Sequence, residues 1–439
     1  MNEVLIFILF VLIGVVVGLL SGLIPGLHVN TLSVVILSMQ PSLLCLLKGV
    51  SINGEATSLY LSALILSICS THTFVNIIPA TFLGVPDEDA ALTLLPAHRL
   101  FVGGRGYEAI YLSALGSFVS MFLCASLLIP IRFILAEPLN LYNIMKENMV
   151  WILVSIIVIM VLTEKPKSGY TKTGILKAIS GAIFVITLSG IYGLVIIDMD
   201  IPSPLSLPTS VLFPALAGLF GLSTLIYSFL FNPRIKEQDI RESSIGKTEK
   251  TESVVSIATG TLSGIVVSIV PGITGAIGTI LALVARGKVN ERQAIITLSS
   301  VNTSAAIATL ACFYILQKTR SGVMVVISNL ISTESWNEIF PPSNFFYLLL
   351  SMLIAGSLSL PLTCYMGKKI AENMNKIPYR TLLKVGTIFI VLLTILFTGI
   401  LGLLILLTAT AIGLIPIFLG VRRSNCMGIL LVPLILRFL

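Results

Sequence analysis

The sequence predicts an all-α polytopic membrane protein, and three observations predict it. Of its 439 residues, 56% are hydrophobic and only 11% are charged, whereas a soluble domain carries about 25% charged residues. The apolar residues form long runs rich in Leu, Ile, Val, Gly and Ser, not the alternating segments of roughly ten residues that build a β-barrel. The net charge of +7 is carried by Lys and Arg gathered in loops, which is the positive-inside bias of membrane proteins and not a nucleic-acid footprint. A soluble enzyme, a nucleic-acid-binding module and a disordered chain are thereby excluded for the chain as a whole. The expected location is the cell membrane, crossed several times. The N-terminal MNEVLIFILF lacks a basic leader and a cleavage site, so it reads as a retained first membrane segment. Cys45, Cys69, Cys124, Cys312, Cys364 and Cys426 stand singly in apolar segments and read as small buried hydrophobes.

Apolar stretches lie at 3–24, 27–47, 57–83, 109–131, 149–163, 178–197 and 210–231, and then at 254–270, 273–285, 293–317, 321–333, 344–367, 385–401, 404–420 and 424–436. A helix needs about 20 residues to cross about 30 Å of hydrocarbon. The stretches 273–285 and 424–436 are shorter, and short segments interrupted by Gly or Pro suggest broken or re-entrant helices. The polar stretch 232–253 reads as a cytoplasmic linker between a first half, 1–231, and a second half, 254–439. The stretches 164–177 and 368–384 are also Lys/Arg-rich and read as cytoplasmic, while 198–209 and 333–343 contain no Lys or Arg and read as external. Both flanks of 254–285 are basic, and each arm is too short to span comfortably. That segment therefore reads as a re-entrant hairpin or a span broken at Pro271-Gly272.

The same pattern occurs near the N-terminus. GVVVGLLSGLIPGLHVNTL at 14–32 parallels GTLSGIVVSIVPGITGAIGTI at 260–280. Each has small residues, an apolar dipeptide, Pro-Gly (Pro25-Gly26 and Pro271-Gly272) and a polar tip (His28, Asn30, Thr31; Thr274, Gly275, Thr279). Each is followed by an apolar helix expected to be interrupted by polar residues: Thr71, His72, Thr73 and Asn76 in the first half, and Asn302, Thr303 and Ser304 in the second. Two structurally repeated halves are expected, in inverted orientation. A Pro-Gly step frees backbone N–H and C=O groups at membrane depth. Such groups are costly unless protein, water or a substrate meets them. The helix restarting after the step offers a positive end to an anion. The alternative for each step taken alone is a plain proline kink between packed helices.

Three motifs bring a family resemblance. Gly22-Leu23-Ile24-Pro25-Gly26-Leu27, Gly84-Val85-Pro86 with Ala90, Pro96 and Gly104-Arg105-Gly106-Tyr107-Glu108-Ala109, and Val270-Pro271-Gly272-Ile273-Thr274-Gly275 with Val301-Asn302-Thr303-Ser304-Ala305 follow one another in order. Over nearly its whole length the chain resembles the large membrane subunit of the tripartite tricarboxylate transporters, the TctA family, and especially its orphan archaeal branch. The resemblance implies a secondary transporter that moves a small organic anion, a carboxylate, coupled to H⁺ or Na⁺. Family members work with a small membrane subunit and an extracytoplasmic binding protein. This sequence departs from the bacterial pattern at His28, at Asn30 and at Asp87-Glu88-Asp89.

The residues expected to bind substrate are Pro25, Gly26, His28, Asn30, Thr31, His72, Thr73, Asn76, Pro271, Gly272, Thr274, Gly275, Asn302, Thr303 and Ser304. His28, Asp87, Glu88, Asp89 and Asn302 are the ion-coupling candidates. Histidine titrates near neutrality and can relay a proton, and a crowded carboxylate can hold one. The acidic triplet also suits an ordinary first helical turn, with His98, Arg99 and Arg105 near enough to neutralise it. Arg99 is an alternative substrate contact. The Asn302 group offers oxygens to Na⁺ or plain helix packing. Arg320 reads as a cytoplasmic anchor. A carrier of a lipid-linked phosphate, such as polyprenyl phosphate, would need the same anion site and is the second reading. An enzyme is not expected, since no H-E-x-x-H or G-x-S-x-G occurs. No cofactor, metal site or nucleic-acid partner is expected. Membrane lipids and further copies of the chain in a homo-oligomer are.

Overall fold

The computed structural model describes residues 3–24, 29–30, 32–33, 35–37, 54–84, 94–164, 171–201, 203–204, 211–231, 236–240, 247–270, 275–287, 289–374, 376 and 378–439. Among the described residues every regular element is helical. In chain order they are α1 (Glu3–Leu23), α2 (Gly54–Val75), α3 (Ile77–Leu83), α4 (Leu94–Val102), α5 (Gly106–Leu135), α6 (Leu141–Glu147), α7 (Met149–Leu162), α8 (Lys172–Ile196), α9 (Leu212–Leu216), α10 (Ser223–Phe231), α11 (Lys247–Ile269), α12 (Gly275–Arg286), α13 (Glu291–Leu316), α14 (Gly322–Leu330), α15 (Ser343–Met374), α16 (Tyr379–Leu419) and α17 (Gly428–Phe438). A π-helical turn, Ala217–Leu222, joins α9 to α10. Among the described residues nine helices are long and apolar enough to cross a membrane. Their outer faces carry exposed Leu, Ile, Val and Phe, such as Leu12, Val16 and Leu20 on α1 and Ile183, Phe184 and Ile191 on α8. Water would penalise such a surface, and lipid does not. The chain is a multi-pass membrane protein.

Small residues set the packing, as expected where lipid removes the hydrophobic drive between helices. On α1, a Cβ added at Gly14, Gly18 or Gly22 would come within 2.6–2.7 Å of the Cβ of Ser67, Thr71 or Val75 on α2. On α11, Gly260 lies against Ser300 and Gly264 against Ser304 of α13. Ascending numbers meet ascending numbers, so each pair is parallel. Gly14 and Gly18 hold the same places ahead of Pro25 that Gly260 and Gly264 hold ahead of Pro271.

The two pairs run in opposite directions. Helix α15 runs parallel to α2, with Ser70 Oγ donating to the Met352 carbonyl and Ser359 Oγ to Thr71 Oγ1. Helix α15 is antiparallel to α5, since Gly356 meets Met121 while Gly367 meets Ile110. Helix α5 in turn is parallel to α13 through Ser113–Ser299 and Cys124–Ser304. Hence α2 and α13 point oppositely.

Between α11 and α13 the chain turns back on itself. Ser263 Oγ donates to the Gly278 carbonyl, and Arg286 Nη1 donates to Ser256 Oγ. Both arms of 254–285 thus start and finish at one end. Helix α11 is among the nine long enough to cross, whereas the returning arm α12 has only 12 residues. One part of the sequence reading is corrected. The second polar run does not interrupt its helix, since α13 is unbroken through Asn302, Thr303 and Ser304, and the first does so only at its last residue, Asn76, the turn between α2 and α3. The hydroxyls of Thr73 and Ser304 bond carbonyls one turn back, at Cys69 and Ser300, so they satisfy themselves without unwinding the backbone. The apolar stretches 385–401 and 404–420 form the one element α16, broken at Gly399, whose φ of 63° no ordinary side chain favours.

Two bundles result. The first gathers α1, α2, α5, α11, α13 and α15 around Phe10, Leu61, Ile65, Tyr314 and Phe345. The second gathers α7, α8, α9, α10, α16 and α17 around Leu153, Leu216, Phe220 and Leu431. Inside the second, Arg423 Nη2 donates to the carbonyls of Leu219 and Phe220 in the π-turn. Buried Glu164 accepts from Arg422 N and Asn425 Nδ2. Arg422 Nε pairs with the same carboxylate at 3.2 Å, so the buried charge has an opposite one beside it.

Candidate functional site

A cavity of about 720 Å³ lies between the two bundles. The first bundle supplies most of its polar wall. Helix α2 and the residue after it contribute Cys69, His72, Thr73 and Asn76, and α13 contributes Asn302, Ala305, Ala306 and Thr309. These sets have the same i, i+3, i+4, i+7 spacing, one face of a helix. They also have the same register. Cys69 and His72 stand to Ser67 and Thr71, which touch the α1 glycines, as Asn302 and Ala305 stand to Ser300 and Ser304, which touch the α11 glycines. The tips add Val29 and Asn30 on one side and Val267, Ser268, Val270 and Gly275 on the other. The second bundle closes the cavity with Ile197, Leu212, Leu430, Pro433 and Leu434, an apolar wall except for Arg437.

The structure brings together Asn30, His72, Thr73, Asn76, Gly275 and Asn302 of the expected substrate-binding residues. Thr303 and Ser304 are buried away from the cavity, because the helical turn that presents Asn302 and Ala305 points them elsewhere, Ser304 into Gly264. Pro25, Gly26, His28, Thr31, Pro271, Gly272 and Thr274 lie outside the described residues, as do Asp87, Glu88 and Asp89.

His72 is 5% exposed, and its Nδ1 lies 3.1 Å from Ser21 Oγ. Ser21 Oγ is also 3.1 Å from the Gly18 carbonyl, to which it donates its single proton. Ser21 thus links the imidazole of His72 on α2 to the backbone of α1. His98 sits elsewhere, at the opposite end of the first bundle. It is buried, and its Nδ1 donates to the Thr81 carbonyl at 3.0 Å. Burial pushes its pKa below the ordinary 6.5 against the opposing pull of that hydrogen bond. Arg99 pairs with Glu291 at 3.8 Å, away from the cavity.

Sequence reasoning missed the basic part of the lining. Lys318, Thr319, Arg320 and Ser321 connect α13 to α14 and line the cavity with Tyr142 and Arg437. The Arg320 reading as a cytoplasmic anchor is corrected here. Arg292, at the start of α13, pairs with Glu108 near the linker residues, where Lys236 N and Asp239 N bond the carbonyls of Val102 and Gly104. Arg320 lies past the other end of α13, where Trp336 N bonds the Tyr314 carbonyl and Arg132 holds the carbonyls of Trp336 and Asn337. That end carries the stretch 333–343, which reads as external. A usable signal was present: basic residues placed against the charge bias call for a reason other than anchoring. No Asp or Glu lines the cavity among the described residues, and the lining carries three bases, Lys318, Arg320 and Arg437, together with the imidazole of His72.

The comparisons with known proteins agree with this architecture. Residues 8–428 match the model of the tripartite tricarboxylate transporter TctA family. An uncharacterized protein of Methanocaldococcus jannaschii, MJ1079, is 27% identical over 389 residues, covering 85% of this chain and 88% of its own length. No solved structure matches. With the family pattern spanning both bundles and the cavity between them, the chain belongs to the TctA family of membrane transporter components.

Proposed function

We propose that the cavity is the cargo site of a secondary active transporter for a small organic anion, a carboxylate, coupled to H⁺ or Na⁺. The observation that carries this reading is a lining free of Asp and Glu among the described residues, in which hydrogen-bonding groups from two oppositely directed helices share one space with three bases. Basic groups and oriented dipoles in a site of low water content favour an anion. We further propose that 1–231 and 254–439 are the two halves of an inverted repeat. The matched glycine registers ahead of the two Pro-Gly steps and the opposed directions of α2 and α13 support this. Such repeats place a site at their interface and alternate its access by moving one bundle against the other.

The imidazole of His72 in the cavity wall favours H⁺ as the coupling ion, since an imidazole is able to exchange a proton. The tripartite family supports a small membrane subunit and an extracytoplasmic binding protein as partners. A homo-oligomer belongs to the same reading.

The test is uptake by proteoliposomes holding the purified full chain. Labelled mono-, di- and tricarboxylates should enter faster under an imposed inward H⁺ or Na⁺ gradient. No uptake of any organic anion, with or without an added binding protein, would shift the assignment to a carrier of lipid-linked phosphate.

A further inference from the structure

The three bases of the cavity are not equivalent. Lys318 Nζ donates to Tyr142 Oη at 3.0 Å and sits 4.7 Å above that ring. Arg437 is paired with Asp198. Arg320 is half-buried, its guanidinium carbon 5.3 Å from the centre of the Tyr142 ring. Its Nε and Nη1 are shielded from solvent and make no hydrogen bond. A charged donor is rarely left so, because desolvation is then uncompensated.

The adjoining helix end does not supply an alternative set of donors. Asn30 Oδ1 accepts from Val323 N at 3.1 Å, and Ser321 Oγ accepts from Met324 N at 3.3 Å. These two bonds use N–H groups at the start of α14, a helix of nine residues. A Cβ at Gly322 would come within 2.8–3.0 Å of the Asn30 side chain, so the first tip and the start of α14 are closely fitted. The start of the helix still contributes its positive end, but the open donors belong to the guanidinium.

We propose that Arg320 is the residue that reads the charge of the cargo, and that Asn30 is a positioning residue for it and not a cargo ligand. This rests on the cavity being the cargo site. The guanidinium rotates to bring its unbonded donors onto a carboxylate or other planar oxyanion in the cavity, with Tyr142 as the platform under the cation. The rest of the cargo lies toward His72, Asn76 and Asn302, whose side chains line the same cavity. Asn30 acts through Val323: it fixes the start of α14 and so the loop that holds Arg320. A lysine at 320 keeps the charge but loses the planar fork, and is not an equivalent replacement.

The experiment pairs uptake with thermal stability of the same detergent-purified full-length protein, using succinate, citrate and inorganic phosphate as probes. Arg320→Gln should raise the half-saturation concentration of the best carboxylate at least about tenfold, with a smaller change in maximal rate. It should also remove the melting-temperature increase that the probes give the wild type, while leaving the probe-free melting temperature unchanged or higher. Arg320→Lys should fall between wild type and Arg320→Gln. Asn30→Ala should raise half-saturation less than Arg320→Gln, and Asn30→Asp, which still accepts from Val323, should restore most of it. Wild-type half-saturation in Arg320→Gln, or a melting temperature that falls without probe, would overturn the proposal and leave the transport reading in place. If the wild type carries no carboxylate, the transport reading fails on its own. Arg320 is then judged by phosphate: a wild-type stabilisation lost in Arg320→Gln supports the oxyanion site, and no stabilisation of the wild type overturns it.

Discussion

The cavity faces of α2 and α13 share a spacing and a register but not a chemistry. Where α2 presents Cys69, His72, Thr73 and Asn76, α13 presents Asn302, Ala305, Ala306 and Thr309. The titratable ring on one helix stands opposite a methyl group on the other. The two helices use one packing device, glycines of a neighbouring parallel helix against Ser or Thr. The difference teaches that backbone placement and recognition are separable here. Small residues set where each face points, and a few substitutions on that face then make the two walls chemically different, with an imidazole on α2 and a methyl group at the matching place on α13.

The largest expected effect comes from breaking the shared device. A leucine at Gly264 would meet Ser304 and the Val301 carbonyl, and a leucine at Gly18 would meet Thr71 and the Ile68 carbonyl. Each should cost about 1–3 kcal/mol or more through overpacking, read as a lower melting temperature and lost uptake. If only one of the two is harmful, the pairs are not equivalent.

The next effect sharpens the chemical difference. His72→Ala should abolish the acceleration of uptake by an inward pH gradient while the protein still inserts and purifies. Ala305→His, the same side chain at the matching place on α13, should not create a second coupled site. Retained acceleration in His72→Ala would reduce His72 to a packing role beside Ser21. A smaller change is expected at the polar position of α13. Asn302→Ala should raise half-saturation about tenfold, the worth of a hydrogen bond to a charged partner, whereas Cys69→Ala at the corresponding place should change it less than twofold.

The smallest effect separates the two histidines. His98 is neutral in the fold, with its pKa held below the ordinary 6.5 by burial. The unfolded chain therefore binds its proton first. The stabilising contribution of the neutral ring is complete above about pH 6.5 and is lost as the pH falls toward the lower folded value. His98→Asn, which cannot titrate, should flatten the fall in melting temperature between pH 7 and pH 5. It should leave the pH-gradient dependence of uptake untouched, and an altered dependence would tie the α4 corner to the cargo site.

Much of this was legible in the residues. Apolar runs gave the helices, and the short arms around Pro271-Gly272 gave a hairpin whose described parts do return to one end. Asn30, His72, Asn76 and Asn302 were identifiable because polar groups beside Pro-Gly steps at membrane depth need a reason to be there. Thr303 and Ser304 could not be sorted from Asn302, since neighbouring residues on a helix point about 100° apart and only the seating of Ser304 on Gly264 sets the rotation. Lys318 and Arg320 were misread because they follow an apolar stretch, as a membrane anchor also does.

The sequence by itself determined that this is a helical membrane protein with two Pro-Gly-centred segments of like pattern, because hydropathy and backbone-breaking residues act locally. Only the tertiary structure decided that each bundle draws helices from both sides of the 232–253 linker, and that an Arg and a Lys from the loop after α13 close over the face of α2. Those are contacts between residues far apart in the chain, fixed by which glycines let which backbones approach, and no local pattern encodes them.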